Sequence, residues 1–223
     1  MKNVVKENYQ RILQEIGDKD VTVLAVVKGR DSADFDALRD VGLMTVGENR
    51  AQEFLRHYEE QISNKFKWHF IGQLQSNKVK YVVGKCELIH SLDRLSLARE
   101  IDRVAGARGL VQDCLIEVNM GDEESKGGLS PCINTIEQFI RDVSAFNHIR
   151  LTGFMAVMPD LDCEQELEKH YEKLSQMFSD LKMKFSNHKA IKLDILSAGM
   201  SNDYKLAVKY GATMIRLGRV LFE

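Results

Sequence analysis

Proline is almost missing from this sequence: Pro131 and Pro159 are the two in 223 residues. No stretch rich in glycine and serine breaks the chain either, so nothing marks a linker, and residues 1–223 are expected to form a single domain. The four cysteines, Cys86, Cys114, Cys132 and Cys163, never fall in a Cys-x-x-Cys spacing, which argues against a zinc cluster or a dense disulfide framework. Free thiols in a reducing compartment follow. The six histidines include no His-Glu-x-x-His pair, and there is neither a Gly-x-Ser-x-Gly elbow nor a Walker loop. No metal site is expected. An excess of charge of one sign is also lacking: 31 Lys and Arg stand against 33 Asp and Glu, so no general attraction to nucleic acid or an anionic membrane arises. No apolar run is long enough to span a bilayer. Residues 1–16 interleave Lys, Glu, Asn and Gln with apolar side chains, unlike a targeting segment. A soluble, cytoplasmic protein is the expectation.

What the chain does have is a regular alternation. Val4, Val5, Tyr9, Ile12, Leu13 and Ile16 predict an amphipathic opening helix that Gly17 and Asp18 close. Residues 21–27 form a β-branched, nearly all-apolar run, the pattern of a strand buried on both faces. Further short runs of strand character lie at 43–46, 68–71, 88–90, 114–118, 151–155, 193–196 and 213–217. Helical periodicity separates each from the next, as in Leu95, Ala98, Ile101 and Val104. Alternating βα units predict a parallel sheet, and eight of them predict a closed (β/α)₈ barrel of TIM type. The chain is a little shorter than the roughly 250 residues usual for that fold, so compact loops are expected. The opening helix either covers the barrel bottom or stands in for a truncated last helix. An open doubly wound sheet has the same periodicity and is the competing architecture.

In a parallel barrel, functional groups collect at the carboxyl ends of the strands. Lys28 follows the most apolar run, with only Gly29 between it and Arg30. Burial and a neighbouring cation both favour the neutral amine, the form that attacks an aldehyde. The plainer reading is a lysine reaching out to water. Residues 197–201 form a Gly/Ser turn before a predicted helix beginning near Asn202 or Asp203, where free backbone N–H groups suit a phosphate. Ser201 or Asn202 acting as an ordinary helix cap accounts for the same residues. Arg216 interrupts an apolar run and needs a partner: an acid such as Glu48 or Asp194, or a ligand in the barrel mouth. His69 and His90 read as satisfied core histidines, and residues 123–128 as a solvated loop on the candidate face.

These residues combine into a pattern. Ala-Val-Val-Lys-Gly at 25–29, Val-Gly-Glu-Asn at 46–49, Trp-His-Phe-Ile-Gly at 68–72 with Leu-Gln-Ser-Asn-Lys at 74–78, Glu-Ser-Lys-Gly at 124–127, Gly-Met-Ser at 199–201 and Ile-Arg-Leu-Gly at 215–218 occur in one order. Together they resemble the pyridoxal phosphate homeostasis protein family over nearly the whole chain. The resemblance implies a barrel similar to that of alanine racemase (fold type III), without the C-terminal β domain. It implies pyridoxal 5′-phosphate (PLP) held as a covalent aldimine on Lys28. Ser201, with the backbone of Met200 and Gly218, would bind the phosphate, Ser197 assisting and Arg219 beside it. Arg216 would face the pyridine nitrogen, with Asn49 and Lys126 near the ring or its phenolic oxygen. Two positions depart from the family: Arg219 replaces a small or hydroxyl residue, and Glu223 a glycine.

An arginine at the ring nitrogen makes the ring a weak electron sink. In the racemases the opposing acid/base is a tyrosine from a second domain, which this sequence does not include. The resemblance therefore implies holding and exchange of PLP, with PLP-dependent apoenzymes as recipients, no catalytic residue and no dedicated reaction. A racemase-like enzyme acting through Lys28 is the alternative, and a phosphate-ligand barrel that uses Lys28 without PLP a third reading. A monomer is expected, since the second domain supplies the racemases' dimer contacts.

Overall fold

A computed structural model of the protein describes residues 2–61, 65–123, 127–161 and 163–223. Eight strands, β1 (Thr22–Val26), β2 (Thr45–Glu48), β3 (Lys67–Phe70), β4 (Leu88–Leu92), β5 (Gln112–Asn119), β6 (Ile149–Val157), β7 (Ile191–Ser197) and β8 (Met214–Leu217), pair in chain order into a closed parallel barrel. Closure comes from β8 lying beside β1, with Thr22 opposite Met214 and Ala25 opposite Leu217. The expected barrel holds, and the open sheet is set aside.

Outside the barrel run α1 (Lys2–Ile16), α2 (Ser32–Asp40), α3 (Ala51–Glu60), α4 (Val79–Val82), α5 (Leu95–Ala107), α6 (Ile133–Val143), α7 (Glu164–Lys184), α8 (Tyr204–Lys209) and α9 (Arg219–Phe222). The opening helix packs against α2, α8 and α9, and Asn8 donates a hydrogen bond to the Leu221 carbonyl at 3.2 Å. Set among these outer helices, α1 lies on the barrel wall beside α9 and does not plug the barrel bottom. Its buried face is narrower than its apolar pattern suggests: Val5, Ile12 and Ile16 are buried, whereas Val4 and Leu13 are exposed.

Strand alternation divides the apolar side chains between two cores. Leu24, Leu88, Leu115, Met155 and Met214, drawn only from strands, meet inside the barrel. Their chain neighbours, such as Ala25, Ile89, Ile116, Phe154 and Ile215, join the larger core between barrel and helices. Two residues along from the interior positions, the same parity places His90, Glu117, Ser197 and Arg216 in the upper barrel. β5, β6 and β7 run beyond the apolar stretches that reveal them, because Gln112, Asn119, Arg150 and Lys192 join the ladder through their backbones whatever their side chains. β1, in contrast, ends at Val26, so Lys28 lies in the following turn, not at the strand end.

Between β3 and the helices α2 and α3, Phe54 stands edge-on to Trp68 (5.7 Å) and Phe70 (6.1 Å), and Phe35 edge-on to Phe66 (5.4 Å). Phe54 is fully buried. Phe54→Ala should destabilise the protein by about 3–5 kcal/mol through lost transfer energy and the cavity left behind. Denaturant unfolding would measure this; a loss below about 1 kcal/mol would mean that the helical layer refills the space.

Candidate functional site

A cavity of about 1150 Å³ opens over the carboxyl ends of the strands. Lys28, Met200, Ser201, Arg216, Gly218 and Arg219, six of the residues expected at the site, line it. Val26, Val157 and Met158 supply apolar wall, and Arg30 adds a cation. Ser197 lies beneath the cavity as a partner of Arg216, and Asn49 follows β2 on the same end of the barrel. Lys126 lies outside the described residues.

Arg216 is buried, and burial pulls its pKa below the usual arginine range. Neither acid offered by the sequence reaches it. Glu48 accepts from His57 Nδ1 at 3.1 Å and from the Asn49 N–H at 2.7 Å; Asp194 faces the outer surface and pairs with Lys182 at 2.8 Å. Strand parity decides this, since Glu48 and Asp194 sit one residue off the interior positions. Arg216 instead donates through Nη1 to the Ser197 carbonyl (2.7 Å) and Ser197 Oγ (3.0 Å), and through Nη2 to the Ala156 carbonyl (3.0 Å). The guanidinium keeps its full charge, with the carboxylates of Asp203 and Glu117 acting on it at longer range.

The turn after β7 is shaped by two residues. Gly199 has φ +91, and a Cβ there would stand 2.6 Å from that of Ala207 and 2.9 Å from the Tyr204 backbone, so only glycine serves. Asp203, expected only as a candidate start of the helix, accepts from the Met200 N–H at 2.6 Å and from the Tyr171 hydroxyl at 2.6 Å. Neither Ser201 nor Asn202 caps α8: the cap position is Asp203, with no side-chain cap bond. Ser201 Oγ accepts from the Val220 N–H at 3.3 Å, tying this turn to α9. The N–H of Met200 is therefore engaged. Those of Ser201, Asn202, Gly218 and Arg219 have no protein acceptor among the described residues, and they border the cavity. An Asp three residues beyond a Gly-Met pair was the available signal for the Asp203 clasp.

Lys28 is exposed, in keeping with the plainer reading of a lysine that reaches out to water. Arg30 lies over the Phe222 ring at 4.3 Å and 3.5 Å from Glu223, so the unusual last residue braces this cation at the rim. After β2, the neighbour of β1, Asn49 Oδ1 is buried without a hydrogen-bond partner among the described residues. Its backbone is held by Glu48, itself held by His57, and a Cβ on Gly72 would fall 2.0 Å from the Asn49 carbonyl oxygen. Gly72 is thus the residue that lets the two strand ends come together. Glu117 Oε2 is likewise buried without a hydrogen bond, and burial, with Asp93 nearby, pushes this carboxyl up to about 7.

Among the described residues no cluster of His, Cys, Asp and Glu is arranged to hold a metal ion, and no helix is long and apolar enough to cross a membrane.

Comparison with known proteins places this architecture. Residues 2–223 match the family described as the alanine racemase N-terminal domain. The chain is 41% identical over 181 residues to the pyridoxal phosphate homeostasis protein of Aquifex aeolicus, spanning 81% of this chain and 77% of that protein. PipY of Synechococcus elongatus, solved with PLP bound, superposes with a TM-score of 0.87 at 27% identity, covering 98% of this chain and all of that one. Alanine racemase of Clostridium difficile shares the fold, with a TM-score of 0.77 at 16% identity; 99% of this chain corresponds to 57% of the racemase.

Glu117 gives a pH signature. Between the ordinary carboxylate value of about 4.5 and its own value of about 7, the folded protein holds a proton that the unfolded chain has released. Its contribution to stability therefore falls as pH rises through that window, by an amount on the order of 3 kcal/mol. Glu117→Gln removes the effect, so the melting temperature of the variant relative to wild type should climb from about pH 5 to pH 8. His69 and His90, kept neutral by burial, act in the opposite direction and cancel in this difference. A difference that stays flat with pH would mean that Glu117 ionises freely.

Proposed function

Since this chain belongs to the alanine racemase N-terminal domain family, and there to the pyridoxal phosphate homeostasis proteins, we propose that it binds pyridoxal 5′-phosphate in the cavity over the barrel and serves its intracellular holding and exchange. The observation that carries the proposal is the meeting of three kinds of group in one cavity: the exposed amine of Lys28, the uncommitted N–H groups beside Ser201 and Gly218, and the fixed cation of Arg216. When bound, the cofactor supplies an aldehyde that condenses reversibly with a neutral amine and releases water.

Each residue has a part. Lys28 Nζ forms the covalent link, and its exposure leaves the link open to an incoming amine. Ser201 and the N–H groups of Gly218 and its neighbours donate to the phosphate oxygens, while Asp203 keeps Met200 in place behind them. Arg219, exposed on the rim, adds a cation there. Arg216 turns donors, and no proton it can release, toward the pyridine nitrogen. A ring nitrogen so held stays unprotonated and stabilises a carbanion poorly, which favours holding over racemisation. Asn49, with its buried Oδ1, would add an acceptor near the ring or its phenolic oxygen. PLP-dependent apoenzymes are the receivers that this exchange requires, and the carrier works as a cytoplasmic monomer.

The test is the absorbance of wild type and Lys28→Ala mixed with pyridoxal phosphate. Wild type should develop the visible band of a lysine-bound cofactor, and borohydride should fix the cofactor to Lys28 as seen by peptide mass. Lys28→Ala should show neither. A band that persists in the variant would move the attachment to another lysine, such as Lys126.

A further inference from the structure

Beneath the cavity a line of polar groups leads away from the ligand side of Arg216. Arg216 Nη1 lies 3.0 Å from Ser197 Oγ, Ser197 Oγ 3.2 Å from His90 Nδ1, and His90 Nε2 2.9 Å from His69 Nδ1. The four residues come from β8, β7, β4 and β3, and none is more than 6% exposed. The two histidines are 21 positions apart in the chain, and barrel closure connects them to the arginine.

The chemistry of the end groups sets the direction of every proton in this line. Arginine only donates, so the Ser197 oxygen accepts from it and has its own proton to give. Among the described residues His90 Nδ1 is the acceptor in reach. Were His90 to donate from Nδ1 instead, the serine proton would be buried with no acceptor, a costly arrangement. His90 therefore accepts at Nδ1 and carries its proton on Nε2, which it donates to His69 Nδ1. His69 must then carry its proton on Nε2. A second proton on either ring would set two N–H groups head to head, or add a cation near Arg216. Burial pulls both imidazoles below their usual range, His69 to about 4. The other charges acting on the line are Asp203, at the start of α8, and Glu117 on β5, both toward Arg216, and Lys67 on β3, toward His69.

We infer that Ser197, His90 and His69 are positioning residues: a one-directional hydrogen-bond chain that fixes the Arg216 guanidinium from behind and leaves the line itself with one positive charge, that of Arg216. This rests on the reading of Arg216 as the partner of the pyridine nitrogen. The chain makes that partner a rigid donor, since its anchors are the Ser197 and Ala156 carbonyls plus a hydroxyl whose own proton is committed elsewhere.

Two measurements test it. Long-range ¹H–¹⁵N NMR of the ligand-free protein at neutral pH should show His90 and His69 neutral and protonated on Nε2, and in Ser197→Ala the His90 tautomer preference should be lost. An imidazolium at either position, or a proton on His90 Nδ1, overturns the chain. Pyridoxal phosphate binding by equilibrium dialysis should weaken about five-fold in both Ser197→Ala and His90→Leu, the equivalent of one hydrogen bond. His90→Asn, which keeps an acceptor for Ser197, should stay within about two-fold of wild type. Equal losses in His90→Asn and His90→Leu would reduce His90 to packing and overturn the positioning role. If His90→Leu does not fold, Ser197→Ala decides alone. A wild type that binds no pyridoxal phosphate would sink the proposed function, while the NMR result would still decide whether the chain exists.

Discussion

A guanidinium enclosed by a parallel barrel is the constraint on which the upper half of this structure depends. Arg216 stands among residues whose interior neighbours are Leu24, Leu115, Met155 and Met214, where an unpaired cation would be very costly. The structure answers with oxygen dipoles and not with an opposing charge: two carbonyls and a hydroxyl bond to it directly, and the carboxylates act from further away. That choice leaves the cation unneutralised, and therefore available to something in the cavity above. A salt bridge at the same place would have satisfied the arginine and silenced it.

The same economy governs the rest of the site. Asp203, on the cavity wall, occupies the Met200 N–H and the Tyr171 hydroxyl, and so decides which donors of the turn remain open. Glu48 sits on the outward side of β2, where with His57 it holds the Asn49 backbone without entering the barrel. Gly72 and Gly199 act by having no side chain, each allowing two stretches of backbone to approach where a methyl group would not fit.

Much of this was legible in the sequence. Short apolar runs between helical segments gave the strand count, the parallel arrangement and the end at which Lys28, Ser201 and Arg216 gather. Strand limits were less legible, since a ladder is made by backbone groups and Gln112 or Arg150 can extend it without an apolar side chain. Of the two partners open to Arg216, an acid or a ligand, the acid is ruled out by parity: counting from Gly47 and Ile195 sends Glu48 and Asp194 outward. That Lys28 lies in a turn beyond its strand was less legible, because an apolar run does not say at which residue its strand stops. The link from Ser197 to His90 and His69 had no local signal, since it joins positions 107 and 21 residues apart. Only closure and register bring them together.

Closure also bears on how the chain is made. The first strand is sealed by the last, and the first helix fills the outer wall beside a helix that ends at Phe222. A ribosome releasing the chain from its N-terminus presents α1 and β1 long before β8 and α9 exist to receive them. Until then the edge of β1 is open and the apolar side of α1 is unmatched, a period in which nascent strands are prone to wrong pairing. The Lys and Glu residues along α1 and the short span of β1 limit that exposure. The cation inside the barrel is itself carried by the closing strand, so the pocket does not exist in part: it arises when the ring shuts.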